Sequence, residues 1–251
     1  MDAHVSRRGD GARQRPFVLV HGMSHGAWAW DAVRARLERA GHRVVAPDLP
    51  GHGRRAHERW RASVDAYARA VAGAMAQEGL HDAVVVGHSM GGVVIPRVAE
   101  LAPARVGHLV FLAAVVLPSG ASLLETHLAA SARPLLRGLA ASGAGTIQYP
   151  AALEWARWLS DLPPGDPRVV SALSQMTPQP LRPWIERVDS SRFWAMRVPC
   201  TYIRCLRDVA VAPAKAAEYA ARLGVTPIDL DCAHEPMLSR PDELVGILTR
   251  L

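Results

Sequence analysis

Long apolar runs are what this 251-residue sequence most clearly lacks. The longest uncharged apolar run, 109–117, has nine residues. That is far short of the ~20 needed to cross a bilayer, which excludes a transmembrane span. The first fifteen residues are polar and hold no apolar h-region, so they read as a frayed tail rather than a secretory signal, and the expected location is cytoplasmic. Cysteine is scarce as well. Cys200, Cys205 and Cys232 are odd in number and lack metal-ligand spacing, which argues against a disulfide framework and a zinc site and suits buried thiols in a reducing compartment. Lysine is almost missing: Lys215 stands alone among 29 basic residues, an imbalance read as genomic composition bias. Internal repeats and low-complexity tracts are also lacking.

What is present is an ordinary globular composition, 49% hydrophobic and 21% charged. A chain of this length buries roughly 70–75% of the surface its unfolded form exposes, so one large core needs no staple. The net charge of +6 first suggests a polyanionic partner, but residues 1–15 carry +2 of it and residues 54–61 carry +3. Trp60 within the second cluster could stack on a base. With no recognition fold beside it, the cluster reads as a solvated loop leading into a helix, and neither nucleic acid nor membrane is expected as a partner.

Short apolar runs alternate with segments of helical period. Strands are predicted at 17–20, 43–46, 83–87, 107–113, 200–205 and 226–230, and helices at 26–40, 64–75, 90–101, 214–223 and 241–250. This βαβα order predicts a parallel sheet covered by helices on both faces. The alternation breaks between about Leu117 and Arg197, a stretch rich in proline that holds four of the seven tryptophans. Helical pieces joined by Pro-rich turns are expected there, leaving the sheet and returning to it as a lid over the strands' carboxyl ends, where ligands bind in open α/β sheets. The expected organisation is therefore a tail (1–15), an α/β core (16–116 and 198–251) and a helical cap (117–197).

The segment AVVVGHSMGG, residues 83–92, is the most informative. Gly87-His88-Ser89-Met90-Gly91 fits G-x-S-x-G between an apolar strand and a helical segment, the context of a nucleophile elbow. Ser89 would project its hydroxyl at the top of the sheet, with the Met90 amide facing a developing oxyanion. A serine hydroxyl needs a base at neutral pH. Of eleven histidines, His234 fits best, after the run 225–230 and before the last helix. Asp208, ending the preceding strand, is the expected acid; Asp229 and Asp231 lie on or beside the strand of His234 and cannot readily reach back to its ring. The roles are nucleophile for Ser89, general base then acid for His234, and tautomer-fixing anion for Asp208. The second oxyanion donor is expected after the first strand, at the Met23 amide in FVLVHGMSHGAWAW. His21, His25 and His88 read as structural hydrogen-bonding residues and His52 as a loop residue. His42, His57, His81, His108 and His127 receive no role.

On these motifs the chain resembles the α/β-hydrolase superfamily from Phe17 to its end. More narrowly it is similar to the branch that holds plant methylesterases and hydroxynitrile lyases, with bacterial relatives. FVLVHGMSHGAWAW, GHSMGG, FLAAVVLP, the aspartate of YIRCLRD and DCAHEPMLSRPDEL carry the likeness. The resemblance implies a six-stranded parallel sheet, a helical cap, catalysis without a cofactor or metal, often a homodimer, and the triad and oxyanion amides named above. The lyases of this branch carry threonine where this chain has Gly22 and lysine where it has Glu235, so esterase chemistry is the closer expectation. The esterases usually carry an uncharged residue at the second position, so Glu235 departs from both. If it faces the pocket it would disfavour anionic acyl groups. The sequence therefore predicts a serine hydrolase of a small, largely apolar ester, plausibly a methyl ester. Gly22, Glu235 and candidate wall residues Trp28, Trp155, Trp158 and Trp184 would contact the substrate. The alternatives are a non-hydrolytic triad enzyme and a small-molecule receptor on the same fold.

Overall fold

Eight strands are present in the computed structural model, which describes residues 14–251. They are β1 (Phe17–Val20), β2 (Val44–Val45), β3 (Ala83–His88), β4 (Val106–Leu112), β5 (Thr146–Ile147), β6 (Gln179–Pro180), β7 (Cys200–Cys205) and β8 (Ile228–Leu230). Six of them form one sheet in the order β2-β1-β3-β4-β7-β8, every pair parallel. Of the expected tail, residues 1–13 lie outside the described residues.

Twelve α-helices follow the strands: α1 (Asp31–Arg39), α2 (Val64–Gln77), α3 (Gly91–Leu101), α4 (Leu123–His127), α5 (Arg133–Ser142), α6 (Ala151–Trp158), α7 (Pro167–Gln175), α8 (Arg182–Ile185), α9 (Ser191–Ala195), α10 (Pro213–Leu223), α11 (Pro236–Ser239) and α12 (Pro241–Leu248). Alternation along the strands divides the core in two. Val18, Val20 and Val85 pack with Tyr67, Val71 and Met75 of α2, Val94 and Val98 of α3, and Ala216 of α10. Phe17, Leu19, Val84 and Val86 face the other way, onto Val33 and Leu37 of α1 and Leu244 and Leu248 of α12. Successive side chains of a strand point to opposite faces, so burying both faces demands the unbroken apolar runs seen in the sequence. Each fully buried Leu, Val or Met side chain contributes about 1.5–3 kcal/mol of transfer free energy. Helix α2 starts where Ser63 Oγ accepts the Ala66 N–H at 3.0 Å, a side-chain cap.

Between Leu112 and Cys200 the chain builds α4 to α9 away from the sheet. The prolines there start helices instead of breaking them: Pro134, Pro167 and Pro183 occupy the first turns of α5, α7 and α8, where a missing N–H costs nothing. Two sequence expectations need correction. The cap is not helical throughout, because β5 and β6 pair antiparallel within it; two-residue strands leave no readable alternation. The strands expected at 43–46 and 226–230 shrink to β2 and β8 at the two sheet edges. The basic stretch 53–61 forms short 3-10 turns with Trp60 exposed.

Candidate active site

Strand β3 ends in the elbow. Ser89 has φ +53, a left-handed conformation that costs a non-glycine residue about 1–2 kcal/mol or more. Its neighbours permit it: a Cβ at Gly87 would lie 2.7 Å from the Gly91 carbonyl oxygen, so strand and helix approach this closely only without side chains. The elbow is held from the sheet, where the Ser89 N–H donates to the Leu112 carbonyl at 3.0 Å.

The Ser89 hydroxyl lies 2.9 Å from His234 Nε2, and His234 Nδ1 lies 2.7 Å from Asp208 Oδ2. Asp208 follows β7 and His234 follows β8, so the three side chains meet at the carboxyl ends of three strands. A carboxylate only accepts, so Nδ1–H donates to Asp208 and the Nε2 lone pair is left to accept from serine. Asp208 Oδ1 accepts the Ala210 and Val211 N–H groups at 2.7 and 2.9 Å, which orients the carboxylate from behind. His88 Nε2–H donates to the His234 carbonyl at 2.9 Å and holds that backbone in place. The competing acids point elsewhere: Asp229 pairs with Arg204 and Asp231 with Arg207, on the exterior.

A cavity of about 30 Å³, room for about two waters, opens at Ser89. Its walls include Met23, His25, Met90, Trp158, Trp184 and Glu235. Among the described residues neither the Met23 nor the Met90 N–H donates to a protein acceptor, as an oxyanion pair requires. The Met23 turn is built from histidines. His21 Nδ1–H donates to the Gly22 carbonyl at 2.8 Å while Nε2 accepts the Leu49 N–H at 3.1 Å, which fixes one neutral tautomer. Burial, reinforced by nearby His52, pushes the His21 pKa down to about 3. A cap residue completes the turn: Gln179 Oε1 accepts the Ser24 N–H at 3.2 Å and His52 Nε2–H at 2.9 Å, and Thr177 N–H donates to the Ser24 carbonyl at 2.8 Å.

Of the tryptophans expected as walls, Trp158 and Trp184 line the cavity and Trp28 and Trp155 do not. Trp28 stacks on His25, and Trp155 donates to the Leu162 carbonyl at 2.9 Å inside the cap. Gly22 lies beneath the wall, where a Cβ would sit 2.9 Å from His88 Nδ1 and 3.0 Å from Ser89 Cβ. Glu235 is 1% exposed and lines the cavity, with burial as the main cause and Asp208 as a second holding its pKa well above the usual carboxylate value. The repulsion expected between its charge and an anionic acyl group therefore lapses, because burial favours the neutral acid. His52 is fully buried rather than a simple loop residue, and His127, given no role from sequence, lines the cavity. Both were illegible because their partners, Gln179 and Tyr219, lie 127 and 92 residues away.

His88, His234 and Glu235 bring ring nitrogens and a carboxyl oxygen within 4.8 Å of one another. Both nitrogens of His234 and one of His88 are engaged in the bonds above, so only two donors remain, too few for a tetrahedral metal site.

The chain belongs to the alpha/beta hydrolase family, whose family model matches residues 17–247. The carbendazim hydrolyzing esterase of Nocardioides sp. (strain SG-4G) is 42% identical over 109 residues, 43% of this chain and 45% of that protein. Methylesterase 7 of Arabidopsis thaliana is 38% identical over 113 residues, 42% of each chain. The matched stretches thus span less than half the length of these curated relatives. Among solved structures, an extracellular alpha/beta-hydrolase from a Paenibacillus species, described as sharing structural and functional homology with tobacco salicylic acid binding protein 2, superposes with a TM-score of 0.85. It is 25% identical, covering 94% of this chain and 98% of that one.

Proposed function

We propose that this chain is a serine esterase that cleaves a small, largely apolar carboxylic ester, methyl esters being the first class to test, through an acyl-enzyme. The observation that carries the reading is the unbroken hydrogen-bonded run Asp208–His234–Ser89 ending at a cavity with two unengaged amides. In this mechanism Ser89 Oγ attacks the ester carbonyl as His234 Nε2 takes its proton. The Met23 and Met90 N–H groups stabilise the tetrahedral oxyanion, and Asp208 stabilises the imidazolium. His234 then protonates the departing alcohol, and water activated by the same nitrogen releases the acid. Esterase and methylesterase names among the partial relatives support the same class.

The cavity is narrow and Tyr149, Trp158 and Trp184 of the segment 117–197 wall it, so that segment acts as a lid in this reading. Three cysteines without a disulfide support a cytoplasmic location. The test is labelling with a fluorophosphonate followed by intact-mass analysis, then a screen of p-nitrophenyl and methyl esters. One adduct, lost in Ser89→Ala, and turnover that falls by about 10³-fold or more in that variant are expected. A folded protein that takes no adduct at Ser89 would refute the proposal.

A further inference from the structure

Beside the triad lies a corner of the cavity that the ester mechanism leaves unused. His25 Nδ1–H donates to the Met23 carbonyl at 2.7 Å, so in the neutral ring Nε2 carries a lone pair. That nitrogen lies 3.3 Å from Glu235 Oε1, yet neither atom forms a hydrogen bond within the protein. Glu235 Oε2 is likewise buried without a protein partner. Across the corner His88 Nδ1 lies 3.9 Å from it. With His88 Nε2–H committed to the His234 carbonyl, Nδ1 is also a lone pair.

Counting donors against acceptors gives the chemistry. Burial pushes His25 down to about 4 and raises Glu235 well above the usual carboxylate value, which favours a neutral ring facing a neutral acid whose one O–H is the corner's donor. Against it stand the second carboxyl oxygen and two imidazole lone pairs. A buried acceptor without a donor costs about 1–3 kcal/mol, so an acceptor-rich corner favours a ligand that brings N–H or O–H groups. A Glu235 oxygen also lies within 4.8 Å of a His234 ring nitrogen.

We propose that Glu235, with His25 and His88 behind it, is a specificity-determining residue that selects esters bearing a neutral hydrogen-bond donor next to the scissile carbonyl, either an α-hydroxyl or a carbamate N–H. The inference rests on the esterase reading above and gives it a substrate class. Glu235 accepts the substrate's donor through one oxygen while its own O–H turns toward His25 Nε2. No proton is transferred by this contact, and the acyl chemistry stays with Ser89 and His234.

The test compares kcat/KM for methyl mandelate with methyl phenylacetate and methyl O-methylmandelate, and for methyl N-phenylcarbamate with its N-methyl analogue. Each comparison is run on the wild type, Glu235→Gln and Glu235→Met. The wild type should favour the donor-bearing member of at least one set by about tenfold or more. The set that responds identifies the hydroxyl or the N–H as the donor. Glu235→Gln keeps an acceptor and supplies an N–H toward His25, so it should retain the preference. Glu235→Met should reduce the ratio to that of intrinsic ester reactivity while still turning over the donor-free ester. Ratios near one in both wild-type sets, or an undiminished ratio in Glu235→Met, would overturn the proposal. Should Glu235→Met fail to fold, Glu235→Leu, which also lacks an acceptor, takes its place and should lose the preference in the same way. Fluorophosphonate labelling runs in parallel: an unlabelled wild type refutes the esterase reading, whereas a labelled enzyme with flat ratios refutes only the substrate class.

Discussion

Mild acid should destabilise this protein well before its carboxylates titrate. His21 is held neutral with a pKa of about 3 and His127 with about 4, in both cases mainly by burial, and burial drives His88 well below its usual 6.5. The sign follows from proton counting. Below 6.5 the unfolded chain protonates each ring and the folded chain does not, so stability falls as pH falls, from 6.5 down toward the folded values. Each ring costs about 1.4 kcal/mol per pH unit in that window, so these three together cost about 4 kcal/mol at one unit below 6.5. That is a large share of a stability of about 5–15 kcal/mol. His25 and Glu235 add almost nothing. Burial raises the acid as it lowers the imidazole, so the folded pair's preference for a proton on Glu235 offsets the unfolded pair's preference for one on His25. Urea unfolding followed by tryptophan fluorescence at about pH 7.5, 6.5 and 5.5 measures the effect, and His127→Gln should reduce the slope, to which His52 and His108, also lowered by burial, contribute as well. A stability that stays flat down to about pH 5 and declines only below the carboxylate range would refute the argument.

Two substitutions probe how the elbow and the Met23 turn are held. Gln179→Leu strands the Ser24 N–H and His52 Nε2–H in a buried site, so a loss of about 2–4 kcal/mol by chemical denaturation and a fall of about tenfold or more in kcat are expected. Gln179→Glu, which keeps the acceptor, should lose less. Gly22→Thr drives a Cβ against His88 Nδ1 and Ser89 Cβ and should cost about 1–3 kcal/mol with at least tenfold slower fluorophosphonate labelling. Gly73→Ala, on α2 with nothing within 4 Å of the added carbon, should leave the rate unchanged and add about 0.5–1 kcal/mol of stability.

Much of this architecture was legible in the sequence because its signals are local. Apolar runs at 17–20 and 83–87 mark central strands, since both faces of those strands are buried, whereas 200–205 is only partly buried and carries Arg204 on its outer side. G-x-S-x-G is readable because the crowding at Gly87 comes from Gly91 and Ile95, close in sequence, although Gly91 itself is crowded by Val20 and His21 of the first strand's end. The order of Asp208 and His234 followed from strand order, and the structure brings His234 to Ser89 and Asp208 to the far side of His234. What the sequence could not reveal depends on distant partners. Gln179 and His52 meet across 127 residues, and nothing in the composition of either segment encodes the pairing. The fate of Glu235 was hidden for a similar reason. Its burial is created by the cap and by the 21–25 turn together, so its charge state belongs to the folded molecule rather than to its neighbours in the chain. Short edge strands such as β2 carry too few residues for any periodicity.

The bonds from Thr177 and Gln179 to Ser24 also bear on how such a protein can change over time. A cap is the natural place for a lineage to explore new substrates, since its residues wall the cavity without performing the chemistry. Here Thr177 and Gln179 of that cap also brace the peptide that follows Met23, so altering the cap near 177–180 would shift the amide proposed as an oxyanion donor as well. Recombining caps between relatives would therefore exchange substrate preference freely only for joints that leave 177–180 with the core. Joints outside that segment carry rate and preference across together, and a new activity gained that way would begin slow.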